Sequence, residues 1–216
     1  MDRAHLLTDL LDSGVIAVVR LGAWNRLLPV TKALAEGGIR FIEFAMTTPH
    51  ALEVLAQAGE ALRGEAVLGA GTVLDPDTAR AAVLAGAQFI IAPNVNPEVI
   101  AISRRYGALA IPGALTPTEI LSAWQLGADL VKVFPVDTLG PGYIRALKAP
   151  LPQVSLVPTG GVSIDNAADY IRAGAAAVCV GSNLVNERVV AQDNWRELTA
   201  AARRLVAAVA AAKNKA

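Results

Sequence analysis

Apolar and polar positions along the chain switch repeatedly between two rhythms, and that switching is its strongest organisational signal. Short, apolar runs rich in branched residues at 15–20, 40–45, 66–69, 89–92, 108–111, 130–134, 154–157 and 177–180 read as eight buried strands. Between them lie stretches with helical spacing, at 2–12, 24–36, 49–62, 76–84, 97–106, 117–126, 141–148 and 164–173. Several of these open on a proline, which suits a helix's first turn. Asp75, Thr116 and Ser163 stand where N-caps belong, and Gly37-Gly38 and Gly86 stand where helices stop. Strict alternation of β and α units, each about 25 residues long, implies right-handed crossovers and a parallel sheet. Eight such units imply a closed (β/α)8 TIM barrel, compact for a class whose lower size limit is about 200 residues, with 2–12 as an extra N-terminal helix. The main rival is a doubly wound open sheet. It usually carries about five or six strands and a glycine-rich first turn, which Arg20-Leu21-Gly22 does not supply.

Composition narrows the picture. The chain has 216 residues, 54% hydrophobic and 18% charged, which suits one compact domain spanning 1–216 with buried parallel strands. Lys plus Arg and Asp plus Glu both number 19, so the net charge is zero and no basic patch points to nucleic acid. No apolar run reaches membrane-spanning length, and the start, Met1-Asp2-Arg3-Ala4-His5, lacks the pattern of a signal peptide. The single cysteine, Cys179, sits in an apolar run without a neighbouring base and reads as a buried, inert thiol, in keeping with a reducing cytoplasm. No cluster of His, Cys and Asp has metal-ligand spacing, and His5 and His50 read as surface residues, so a metal-dependent mechanism is disfavoured. The alanine-rich tail, 200–216, carries Arg203, Arg204, Lys213 and Lys215 and reads as an amphipathic helix.

In a barrel of this kind chemistry gathers where strands end, on the C-terminal rim. Those ends supply Arg20, Glu43, Thr72, Pro93-Asn94, Pro112-Gly113, Lys132 with Phe134, Thr159-Gly160-Gly161 and Gly181-Ser182. Lys132 lies in Leu130-Val131-Lys132-Val133-Phe134, where alternation puts Leu130, Lys132 and Phe134 on one face. An inward lysine is either paired or inclined to lose its proton, and a neutral amine can form a Schiff base with a carbonyl. The bland reading is an edge-strand surface lysine or an internal salt bridge. Glu43 is set opposite Ile42, Phe44 and Met46 and so points inward, as a proton shuttle or as an ion-pair partner of Lys132 or Arg20. Arg20 shares its face with Ile16 and Val18. It is suited to clamping a carboxylate or phosphate, or to balancing Glu43. The loops Thr159-Gly160-Gly161 and Gly181-Ser182 follow the seventh and eighth strands, the usual phosphate position, where following helix starts would add positive dipole ends. Glycine pairs also occur in plain turns. Gly69-Ala70-Gly71-Thr72 implies close backbone packing, with a hydroxyl free to bond a carboxylate.

Together these segments resemble a known family. Ile42-Glu43-Phe44, Gly69-Ala70-Gly71-Thr72-Val73, Ala92-Pro93-Asn94, Ile111-Pro112-Gly113, Val131-Lys132-Val133-Phe134-Pro135, Pro158-Thr159-Gly160-Gly161-Val162 and Val180-Gly181-Ser182 are similar, in order, to the 2-keto-3-deoxy-6-phosphogluconate (KDPG) and 4-hydroxy-2-oxoglutarate aldolases. The resemblance implies a class I aldolase, an aldehyde-lyase of Entner–Doudoroff carbohydrate metabolism, usually a homotrimer. Its partners would be a phosphorylated keto sugar acid and pyruvate, and it would need no cofactor or metal beyond a covalent imine. Carried over, Lys132 is the Schiff-base lysine and Glu43 the general acid/base. Thr72 holds the pyruvyl carboxylate, Pro93 and Phe134 form walls, and Gly160, Gly161, Gly181 and Ser182 hold phosphate. Two positions speak to substrate. Many relatives carry an arginine where this chain has Thr47, which shifts anion binding onto Arg20, Thr72 and backbone groups. Thr159, where galactonate relatives tend to have valine, favours the gluconate epimer. Outside the family, the rivals are an isomerase or synthase of another phosphate-binding barrel, and a non-catalytic phospholigand-binding protein with Lys132 and Glu43 as an ion pair.

Overall fold

The computed structural model describes residues 2–214; Met1 and the last two residues, including Lys215 of the expected tail helix, lie outside the described residues. The strands are β1 (Val15–Val19), β2 (Phe41–Ala45), β3 (Val67–Gly71), β4 (Phe89–Ile91), β5 (Leu109–Ile111), β6 (Gly113–Ala114), β7 (Val131–Val133), β8 (Leu156–Pro158) and β9 (Val178–Val180). The helices are α1 (Arg3–Ser13), α2 (Leu27–Glu36), α3 (Ala51–Ala61), α4 (Pro76–Leu84), α5 (Pro97–Arg105), α6 (Pro117–Gln125), α7 (Gly140–Lys148), α8 (Ala167–Arg172), α9 (Glu187–Ala191) and α10 (Trp195–Lys213).

Every strand pairing is parallel, in a six-stranded arc ordered β5-β4-β3-β2-β1-β9 and a three-stranded arc ordered β6-β7-β8. Backbone hydrogen bonds reach across both gaps. On one side the Asp129 and Lys132 amides donate to Ala110 and Pro112, each at 2.9 Å; on the other the Ala176 amide donates to Leu156 at 2.9 Å and Thr159 bridges Cys179. The result is an α/β fold whose parallel sheet curves as part of a barrel, without the strand-order reversal of a doubly wound sheet.

Side-chain alternation divides the apolar residues into two layers. The layer between sheet and helices includes Ile42, Phe44, Leu27, Leu34 and Leu55. The inner layer is formed by Ile16, Phe41, Val67, Phe89, Leu109, Leu130, Val157 and Cys179, joined by Leu6 and Leu10 of α1. The leading helix therefore plugs one end of the curved sheet. It is capped by Asp2, whose side chain accepts from the His5 amide, and tied down by Arg3–Asp129 and Arg40–Asp9 ion pairs. Asp129 also accepts from the Ala110 amide at 2.8 Å, so one carboxylate serves both helix and sheet.

Four local expectations are corrected. The fifth strand does not end at Pro112-Gly113. It resumes as β6, because Pro112 has no N–H for the ladder while its carbonyl still accepts from Lys132. Gly113 permits the continuation, since a Cβ there would stand 2.4 Å from the Pro93 backbone. Pro49 lies ahead of α3 rather than in its first turn, and His50 takes the N-cap with a left-handed φ of 56°. The helix expected at 164–173 starts only at Ala167, and Ser163 does not cap it; the Ser163 amide instead donates to the Asn166 side chain at 2.8 Å. The tail helix begins earlier than expected, at Trp195.

Leu10 is fully buried in the inner layer, and truncating such a leucine costs about 2–5 kcal/mol. Leu10→Ala should lower stability by that amount in urea unfolding; a loss below about 1 kcal/mol would show that α1 does not seal the sheet.

Candidate active site

Lys132 is the middle residue of β7, paired with Gly113 on one side and Val157 on the other. It shares its face with Leu130 and is only 7% exposed. Its ammonium nitrogen lies 4.8 Å from the centroid of the Phe134 ring. Among the described residues no carboxylate comes within 4.0 Å of that nitrogen, and no hydrogen-bond acceptor engages it. No fully enclosed side-chain polar atom there lacks a partner, so the lysine tip opens into a cavity. The surface and salt-bridge readings of Lys132 both fall away.

Glu43, in β2, is 1% exposed and faces the same interior. Its place exists because its neighbours on β3 have no side chain. A Cβ on Gly71 would lie 1.5 Å from Glu43 Oε1, and one on Gly69 would lie 2.4 Å from the Phe89 ring. The Gly-Ala-Gly run is thus a steric requirement of the carboxylate and of the aromatic beside it. Burial pushes the Glu43 carboxyl above its usual range, and the positive charges of Lys132 and then Arg20 offset only part of that. The Cys179 thiol lies 3.8 Å from Glu43 Oε2, so this cysteine does have a carboxylate neighbour, contrary to the sequence expectation. Burial and that nearby charge push the thiol up to about 12, which keeps it inert as a nucleophile.

Arg20 follows β1 at the exposed rim and donates to the Thr72 hydroxyl at 3.2 Å. It makes no ion pair with Glu43. The Thr72 hydroxyl oxygen therefore already accepts one hydrogen bond, and its own proton remains available. Thr72 holds a φ of 60°, costly for a β-branched residue and typical of places where function over-determines the backbone. Gly160 and Gly161 have φ of 95° and 69°, and a Cβ on Gly161 would meet the Asp137 backbone at 2.8 Å. The helices after the two glycine loops begin only at Ala167 and Glu187 and are short, so they do not supply the dipole ends expected at the loops themselves.

One cavity of about 590 Å³ gathers Arg20, Glu43, Thr72, Pro93, Lys132, Phe134, Thr159, Gly160, Gly161, Gly181 and Ser182. Asn94, Pro112 and Gly113, also read as rim residues, do not line it, and Thr47 lies exposed outside it. Sequence reasoning missed Cys179, Asn183 and Glu187 as lining residues. The parity of Cys179 with Ala177 was available as a signal; Glu187 had none. Among the described residues no group of three or more His, Cys, Asp and Glu is placed to hold a metal, and no helix is long and apolar enough to cross a membrane.

Comparison with known proteins covers most of the chain. Residues 8–201 match the family model described as "Aldolase: KDPG and KHG aldolase". The chain is 37% identical over 187 residues to a 2-dehydro-3-deoxy-phosphogluconate aldolase of Treponema pallidum, covering 86% of this chain and 89% of that one. It is 36% identical over 171 residues to a 2-dehydro-3-deoxy-6-phosphogalactonate aldolase of Escherichia coli, covering 79% and 83%. A crystal structure of KDPG aldolase from Legionella pneumophila, with pyruvate captured at low pH as a covalent carbinolamine, superposes with a TM-score of 0.85 at 28% identity, covering 95% of this chain and 98% of that one.

The Glu43 environment carries a stability prediction. Its carboxyl keeps its proton to higher pH in the folded chain than at the ordinary value of 4.5. The fold therefore loses stability as pH rises from that value until Glu43 ionises in place, and is level beyond. Glu43→Gln removes this loss, so thermal unfolding should show the variant gaining on the native chain between pH 4.5 and pH 8. A stability difference that stays constant over that range would contradict the burial argument.

Proposed function

The chain belongs to the KDPG and KHG aldolase family, and from that membership we propose that it is a class I aldolase cleaving 2-dehydro-3-deoxy-6-phosphogluconate to pyruvate and glyceraldehyde 3-phosphate. The observation that carries this reading is the unpaired Lys132 nitrogen, inside the sheet and open to a cavity it shares with Glu43. A structural ion pair would have consumed both groups.

In this reading the Lys132 amine, having released a proton to solvent, attacks the C2 keto carbon. The carbinolamine loses water to give an iminium, whose nitrogen accepts the electron pair of the C3–C4 bond as Glu43, directly or through a water, takes the C4 hydroxyl proton. Glyceraldehyde 3-phosphate leaves, the remaining enamine is protonated at C3, and hydrolysis frees pyruvate and the amine. Because the iminium is the electron sink, the chemistry needs no metal or organic cofactor. A carboxyl held above its usual range suits an acid and base that must take and return the same proton near neutral pH.

Thr72 and Arg20 would hold the pyruvyl carboxylate, with Pro93 and Phe134 as walls. Gly160, Gly161, Gly181 and Ser182 would take the phosphate through backbone N–H groups and a hydroxyl, since successive left-handed glycines form an anion-binding concavity. Thr159, which lines the cavity at the seam between β8 and β9, would favour the gluconate epimer. The similarity to the E. coli galactonate enzyme supports a second reading, the galactonate substrate at the same centre; 4-hydroxy-2-oxoglutarate is the alternative without phosphate. We also take the two arcs as one closed (β/α)8 ring in a single domain, 1–216, working as a homotrimer in the cytoplasm, with neither nucleic acid nor a membrane as partner. The hydrogen bonds across both gaps and the one buried cysteine support these points.

Incubation with pyruvate followed by borohydride should leave a stable adduct that mass spectrometry maps to Lys132 and that Lys132→Met abolishes. No adduct at saturating pyruvate refutes the reading. Gly71→Ala, which pushes the Glu43 carboxylate aside without removing it, should lower kcat by about 10²–10⁴-fold, the range of a positioned general acid and base. Cleavage measured at native rates would mean that Glu43 is not that group.

A further inference from the structure

The Glu43 carboxylate is held by a contact for which the reaction has no direct use. Cys179, in β9, is 1% exposed, faces the same interior and places its Sγ 3.8 Å from Glu43 Oε2. Among the described residues no other side chain hydrogen-bonds that carboxylate. The opposite oxygen, Oε1, lies over Gly71, where even a methyl group would stand 1.5 Å away. One oxygen thus faces a donor and the other a bare backbone, an arrangement that selects one rotation of the carboxylate plane. Burial and the Glu43 charge push the thiol up to about 12, so it remains an S–H donor while Glu43 titrates.

We propose that Cys179 is a positioning residue for the acid/base carboxylate: its S–H donates to Glu43 Oε2 and holds the group in the orientation from which it exchanges protons with the bound substrate. The contact stands on the geometry alone; only its catalytic consequence rests on the aldolase reading. Glu43 is faced by Lys132 from β7, Arg20 from the end of β1 and Cys179 from β9, each of which draws its pKa down against the desolvation that raises it. Glu187 shares the cavity near the glycine loops. Loss of the thiol removes one of the three downward influences. Cys179→Ala therefore moves the Glu43 titration to higher pH, and Cys179→Ser, which restores a donor, returns it toward the native position.

The chain has one cysteine, so its S–H stretching band in the infrared reports this site alone. In the unaltered protein that band should shift with pH in step with the Glu43 carboxyl band, and Glu43→Gln should abolish the dependence. In kinetics, Cys179→Ala should lower kcat by about tenfold, the scale of one hydrogen bond, with little change in KM and with the acid limb of the kcat profile moved upward. An S–H band indifferent both to pH through that titration and to Glu43→Gln overturns the contact. A native pH profile in Cys179→Ala overturns the positioning role even if the band moves. Should that variant fail to fold, the infrared measurement on the unaltered chain still decides. Pyruvate trapping on Lys132, run alongside, tests the aldolase reading separately, since a moving S–H band without an adduct sinks that reading and leaves the contact intact.

Discussion

An amine and a carboxylate share the inside of one curved sheet without pairing, and much of the structure is arranged to permit that. Pairing is the cheapest solution for two opposite charges removed from water, because each then offsets the other's desolvation. Here Lys132 and Glu43 arise from strands in different arcs, and no ion pair forms between them among the described residues. Each keeps part of its hydrogen-bonding capacity for something that enters the cavity. The cost shows in Glu43, whose carboxyl is driven upward by burial more than nearby positive charge can draw it down. A site that keeps its reactive groups unsatisfied must be stabilised by the rest of the molecule.

That stabilisation comes from the arrangement of the inner layer. One end of the curved sheet is closed by Leu6 and Leu10 and packed with Phe41, Phe89, Leu109 and Leu130, a plug of apolar side chains. The reactive residues come later on the same strands, on the same faces. Phe41 is followed two places on by Glu43, and Leu130 by Lys132. A strand period of two therefore couples stability to chemistry. The residue that fills the plug fixes the direction in which the functional side chain points, and a slip of one residue would turn both outward together. Glycine completes the design on β3, where Gly69 gives way to the plug and Gly71 to the carboxylate.

Because that coupling is local and periodic, much of it was legible in the sequence. The inward parity of Glu43, Lys132 and Arg20 needs only alternation, and the caps at Asp75 and Thr116 need only their spacing from the following prolines. The errors fell where a long-range contact overrides local preference. Pro112 looks like a strand end, yet the chain continues beyond it, since Lys132 still donates to the Pro112 carbonyl. Pro49 looks like a first-turn proline, yet His50 adopts a left-handed cap that no pattern of apolar residues announces. Cys179 reads as an inert core thiol from its neighbours in sequence. Its contact with Glu43 joins residues 136 positions apart and exists only once β9 has closed beside β1.

The anion-binding side assigned to the cavity in the proposed reading can be weighed against its charge inventory. The ionisable lining residues include two cations, Arg20 and Lys132, and two carboxylates, Glu43 and Glu187. In the proposed reading Arg20 serves the pyruvyl carboxylate beside Thr72, and Lys132 is the nucleophile, so neither is a spare counter-ion for a phosphate. With Thr47 exposed and outside the cavity, the proposed reading leaves fixed dipoles to do that work: the backbone around Gly160 and Gly161 and the hydroxyl of Ser182. Fixed dipoles differ from a mobile arginine in that they are aimed before the ligand arrives and need no reorganisation as charge shifts. In the proposed reading, selectivity among phosphorylated acids then falls to uncharged lining groups, Thr159 and Phe134 among them.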